Sequence, residues 1–142
     1  MYLKHFLIFI LLAATALSAK AQTTPDTSSV TTPVKLQLQG YNNRDIDTFA
    51  KAFSDTVKVY RQPGVLSYQG REELRKRYGQ MFANTPDLHC EVVNRIIAGN
   101  VVIDHEKVRR SKDQPRFDAI AVYRVKNNEI VEVTFISPDK AQ

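Results

Sequence analysis

Asp104 and Glu106 stand two residues apart in the run Val101–Val108, with His105 between them. Alternate side chains of a β-strand share a face, so the two carboxylates would lie side by side about 7 Å apart, with the imidazole pointing the other way. If the carboxylate face is covered, mutual repulsion and loss of water raise at least one of the two pKa values toward neutrality. A carboxylate poised there is the base that proton abstraction next to a carbonyl requires, and that chemistry needs no cofactor. If the opposite face is covered, His105 becomes the acid–base group, since imidazole titrates close to neutrality. Val101 and Val102 are both apolar, so alternation alone leaves the choice of face open.

Other reaction classes find less support. Asp104, His105 and Glu106 cannot all face one ion from an unbulged strand, and His89 reads as a solvated residue at a strand start, so no metal is expected. Ser67 and Ser111 lack a Gly-x-Ser-x-Gly setting and an activating histidine, which argues against a serine hydrolase. Cys90 is the single cysteine. It cannot form an internal disulfide, and its alternating apolar run and the neighbouring Glu91 describe a buried thiol rather than a thiolate nucleophile.

The elements that must position these groups follow a clear order. Thr32-Pro33 reads as a helix start, with Thr32 as N-cap and Pro33 at the first helical position, and Val34, Leu38 and Tyr41 fall on one face. A second short helix begins near Asp45 with Ile46, Phe49, Ala50 and Phe53 as its apolar stripe. Val57–Tyr60 and Val65–Tyr68 form a hairpin around Gln62-Pro63-Gly64. Leu74, Tyr78, Met81 and Phe82 mark a longer third helix, with Arg71, Arg75 and Lys76 as a solvated outer face balanced by Glu72 and Glu73. Four strands follow: Leu88–Ala98, Val101–Val108, Phe117–Lys126 and Ile130–Ile136. Gly99-Asn100 and Asn127-Asn128 supply hairpin turns, and 109–115 is a polar connection. The sum is an α+β cone, a curved antiparallel or mixed sheet covered by three helices.

The N-terminus reads as an export signal. Lys4 and His5 precede the apolar run Phe6–Leu17, and Ala19-Lys20-Ala21 offers small residues where a signal peptidase cuts, predicting cleavage before Gln22. The apolar run is shorter than the ~20 residues a bilayer span needs, so no stable membrane anchor is expected after cleavage. The expected organisation is a signal at 1–21, a Thr/Ser-rich flexible leader at 22–32 and one domain at 33–138, exported to the periplasm or secreted. The 142-residue chain carries a formal net charge of +5, and Lys4 and Lys20 of the signal account for two of those charges. So small a surplus does not call for nucleic acid.

Certain words in this order resemble a known family. Gln39-Gly40-Tyr41-Asn42-Asn43-Arg44-Asp45, followed by a short helix and Val57-Lys58-Val59-Tyr60, is similar to the start of a SnoaL-like domain. That group belongs to the nuclear transport factor 2-like superfamily, alongside ketosteroid isomerase. Gly99–Glu106, the run Ala121-Val122-Tyr123-Arg124-Val125 and the closing Glu129–Val133 carry the same resemblance, which extends over Val34–Ser137. It implies a cone-shaped, largely apolar pocket and a homodimer built on the outer face of the sheet. It also favours the pocket face for Asp104 and Glu106, and makes Tyr41 and Tyr123 pocket-lining residues. The early-strand acid of ketosteroid isomerase has no counterpart in register. Asp55 comes nearest and reads as a solvated acid at a helix end.

Three classes of function remain. One is a pocket protein that binds a small apolar or carbonyl-bearing molecule. Another is a cofactor-independent isomerase, cyclase or lyase with Asp104 or Glu106 as base and a tyrosine supporting the oxyanion. The third is an interaction module that associates through its sheet.

Overall fold

The computed structural model describes residues 27–138. The signal expected at 1–21 and the start of the leader lie outside the described residues. Three helices and six strands follow in the order α1 (Thr27–Asn43), α2 (Ile46–Lys51), β1 (Phe53–Arg61), β2 (Val65–Gln69), α3 (Arg71–Asn84), β3 (His89–Ala98), β4 (Val101–Arg109), β5 (Phe117–Lys126) and β6 (Glu129–Ile136).

The first helix departs from expectation. It starts at Thr27, so Thr27–Thr32 is helical rather than part of a leader, and Pro33 sits inside the helix rather than at its first position. With 17 residues α1 is also longer than the 14-residue α3. Threonine and serine are poor helix formers and Pro33 lacks the N–H of its turn. Burial overrides both preferences: Thr31, Pro33 and Val34 are all buried and Val30 packs on the core. Asp45 caps α2 as its position suggests. Its carboxylate accepts from the backbone N–H of Asp47 and Thr48 at 3.0 and 3.1 Å, satisfying donors that the helix cannot.

The six strands form one mixed sheet in the order β2-β1-β6-β5-β4-β3. β1 and β6 run parallel and every other pair is antiparallel. The β5–β6 turn places Asn127 and Asn128 at φ of 50° and 60°, the left-handed pair that a two-residue hairpin demands. α1 packs across β3 to β6 and α3 packs on β1 and β2, all on one face. Between helices and sheet lies an aromatic cluster. Phe49 meets Tyr78 at 4.3 Å and Phe53 at 5.0 Å between ring centres, and Tyr41 meets Phe82 edge-on at 5.7 Å. This cluster fills one end of the cone and leaves the other open.

Candidate functional site

A cavity of about 350 Å³ opens between α1, α3 and the inner face of the sheet. Leu38, Val59, Met81, Val108 and Phe135 supply apolar wall, and Gln37, Cys90, Glu106 and Tyr123 gather as a polar group. All four of these polar residues are buried, so they mark the inner end. Tyr123 donates its hydroxyl to Glu106 Oε1 at 3.0 Å, and Gln37 Nε2 donates to the Tyr123 oxygen at 3.1 Å. The Cys90 thiol also hydrogen-bonds to Glu106.

Burial raises the Glu106 pKa from 4.5 to about 7, and the negative charge of Asp104 pushes the same way. The hydrogen bonds from Tyr123 and Cys90 and the charge of Arg95 act in the opposite direction and offset only part of that. Glu106 therefore exchanges its proton near neutrality, which suits a general base or acid. The same dry surroundings raise the Tyr41, Tyr123 and Cys90 pKa values, so these hydroxyls and the thiol stay protonated. Tyr41 lines the cavity beside them.

Asp104 shares the inner face with Glu106 and is fully buried, yet it does not line the cavity. Arg95 holds it in a two-pronged pair, Nε to Oδ1 and Nη2 to Oδ2, each at 2.7 Å. Asp104 is thus neutralised by a half-buried guanidinium and set off the cavity wall, so of the two acids the geometry offers only Glu106 to a ligand. Arg95 reaches Asp104 because of an irregularity in β3. Val92 pairs with Glu106 and Asn94 with His105, so Val93 is an extra residue that shifts the alternation and turns Arg95 inward opposite Asp104.

The remaining candidates lie away from the cavity. His105 is on the outer face with its ring nitrogen 2.6 Å from Asp118 Oδ1. His89 pairs with Arg109 at the start of β3. Asp55 is an exposed residue within β1, paired with Arg71 at 2.8 Å. Arg71 is not a solvated helix residue as expected. It is half-buried, donates to the Phe53 carbonyl at 2.7 Å and to Glu129 at 3.0 Å, and ties the start of α3 to β1 and β6. Arg75 likewise bridges to Asp47 on α2. Among the described residues, no three His, Cys, Asp or Glu side chains cluster as a metal-holding group.

The family model described as a SnoaL-like domain matches residues 34–133, which include every residue that lines this cavity except Phe135, Ile136 and Ser137. The chain belongs to the SnoaL-like family. A cystatin-fold protein from Novosphingobium aromaticivorans is 26% identical to it, with a TM-score of 0.68 over 76% of this chain and 97% of that one. A putative ketosteroid isomerase from Kribbella flavida also has a TM-score of 0.68, at 15% identity over 81% of this chain and 82% of its own. An LEH-like epoxide hydrolase from M. tuberculosis has a TM-score of 0.66 at 16% identity, covering 80% of this chain and 86% of that one. No curated protein sequence matches significantly.

In this SnoaL-like domain three contributors to the site escape the sequence reading: Gln37, Arg95 and the bulge at Val93. Gln37 was within reach, since it follows Val34 and precedes Tyr41 at helical spacing and so shares their face. Arg95 was not, because strict alternation counted from Cys90 puts Asn94 rather than Arg95 on the inner face.

Proposed function

We propose that this SnoaL-like protein takes a small, largely apolar or carbonyl-bearing molecule into the cavity and moves a proton on it without a cofactor, in an isomerase-, cyclase- or lyase-type step. Glu106 is the base. Its ionised carboxylate removes a proton from a carbon next to the substrate carbonyl, the C–H electron pair passes into the carbonyl to form an enolate, and the carboxylic acid then returns the proton to another atom. Tyr123 and Gln37 hold the carboxyl in place. Tyr41, kept protonated by burial, is the donor assigned to the enolate oxygen. Solved structures of similar fold include a putative ketosteroid isomerase and a putative polyketide cyclase. At their identities they lend a class of chemistry and no substrate.

The observation that carries this reading is one carboxyl, alone of its kind on the cavity wall among the described residues. It is buried and held by the Tyr123 hydroxyl, and burial pushes its pKa up to about 7. The test follows deuterium exchange from solvent into the α-carbon of small ketones by NMR. The wild-type protein should accelerate exchange, and Glu106→Gln should reduce the acceleration by ~100-fold or more while ketone binding stays within a few-fold. Binding without accelerated exchange in the wild type would leave a ligand-binding protein.

A second reading, compatible with the first, is association with another copy through the outer sheet face. Ile96, Ile103 and Val122 line up there in one cross-strand row, and Ile96 is 54% exposed. Export to the periplasm or medium also belongs to this proposal, supported by Phe6–Leu17 and the Ala19-Lys20-Ala21 site. Intact mass of the protein recovered from outside the cytoplasm should begin at Gln22, whereas a chain retaining Met1 would overturn it.

A further inference from the structure

Among the described residues Glu106 is the single acidic one on the cavity wall, yet three arginines line the same space: Arg61 at the end of β1, Arg77 in α3 and Arg110 just beyond β4. All three are exposed while the Glu106 group is buried, so they stand at the mouth. Arg77 already has a partner in Glu73, Nε to Oε1 at 2.7 Å. The side chains of Arg61 and Arg110 have no hydrogen bond and no carboxylate partner among the described residues. The other eight described arginines each hold a carboxylate or a backbone carbonyl. Among the described arginines an unpaired guanidinium is therefore the exception, and both exceptions occur at the cavity mouth.

Aromatic rings hold two of these guanidiniums in place. Arg110 lies over the Phe117 ring at 5.1 Å and Arg77 over Tyr68 at 4.7 Å, and both rings line the cavity. Arg61 and Arg77 both act electrostatically on the Tyr68 hydroxyl, so their charges converge on one side of the opening. A guanidinium stacked on a ring keeps its N–H edge free for a planar anion. Low-dielectric walls around such a group focus its positive potential into the space between.

We propose that the ligand is an amphipathic organic anion: an apolar body occupies the wall beneath α3, and a carboxylate or comparable anionic group at one end pairs with one of the unpaired guanidiniums at the mouth, Arg61 or Arg110. This names the substrate class of the proton-transfer site and rests on that reading. The anion would anchor one end of the molecule so that its reacting carbon is presented to Glu106 at the other, leaving the base unopposed by the ligand's charge.

The test uses matched acid and amide pairs of equal shape: naphthalene-2-acetic acid against its amide, 4-phenylbutyric acid against its amide, and decanoic acid against its amide. Calorimetry and amide-proton NMR shifts of cavity residues report binding. At least one acid should bind roughly tenfold more tightly than its amide at low salt, and the preference should shrink as salt rises. Replacing both Arg61→Gln and Arg110→Gln should remove the preference and leave amide affinity within a few-fold. Equal binding of acid and amide, or a preference that survives the double replacement, overturns the anion assignment while leaving a small-molecule cavity intact. Absence of any cavity shift with all six compounds also overturns the anion assignment, and the proton-transfer reading then stands or falls on ketone exchange alone. Exchange chemistry at ketones is an independent readout, so the anion assignment and the proton-transfer reading fail separately.

Discussion

At Glu106 the protein keeps a carboxyl where water cannot stabilise its charge, and that choice has a cost that varies with pH. The folded pKa of about 7 lies above the ordinary 4.5, so the folded state binds the proton more tightly than the unfolded chain. The stabilisation is fully present below about 4.5 and is lost as pH rises through about 7. A shift of this size amounts to something on the order of 3 kcal/mol. Urea unfolding at pH 5 and pH 8 should therefore show the wild type losing stability with rising pH relative to Glu106→Gln, whose amide has no charge to bury. Parallel pH dependence in the two proteins would mean the carboxyl is solvated. The spacing Asp104-His105-Glu106 was enough to name the pair of acids and to set the imidazole against them. It was not enough to divide their roles. That division depends on Arg95 closing off one acid and on Tyr123 and Cys90 leaving the other beside the cavity, contacts set by strands and helices far apart in the chain.

The segment Gln39–Asp45 shows what an element boundary can encode. Gly40 lies where α1 crosses α2, and a Cβ placed there would meet the backbone nitrogen of Phe49 at 2.3 Å. Asn42 exchanges hydrogen bonds with both backbone groups of Cys90, at 2.9 and 2.7 Å, and so sets the start of β3 against the end of α1. Arg44 takes a φ of 55° and reaches the Leu88 carbonyl at 3.2 Å, and Asp45 caps the next helix. For Gly40→Ala two effects oppose each other. Alanine gains about 1 kcal/mol in helix propensity, while forcing the helices apart costs up to about 3 kcal/mol or more. The clash is the larger, so the midpoint of chemical unfolding should fall. An unchanged midpoint would show that the crossing can open freely. Turn chemistry and period located all six strands and the start of α2 in advance, because those signals are local, although Phe53, counted on the α2 stripe, opens β1 instead. The start of α1 was not legible, since the burial of Thr31 and Pro33 that holds it depends on the assembled sheet.

Across the whole molecule the sheet has two unlike faces, one covered by helices and one bearing Ile96, Ile103 and Val122. If a second copy covers the outer face, light scattering on the purified protein should give twice the chain mass, and Ile103→Lys should return it to the mass of one chain. A monomer at all working concentrations would leave that face solvated. The strand order carries a further consequence. β6 is the last of the described strands in chain order, yet it lies between β1 and β5 and is the only one of them that joins the β1–β2 hairpin to the β3–β5 meander. Until residues 129–136 emerge, the two parts have no shared edge, and the chain can hold only separate, weakly stable pieces. Completion of the fold therefore waits on this one strand. A chain that has not yet added it stays open enough to be threaded through a pore, a property that would suit the export proposed above.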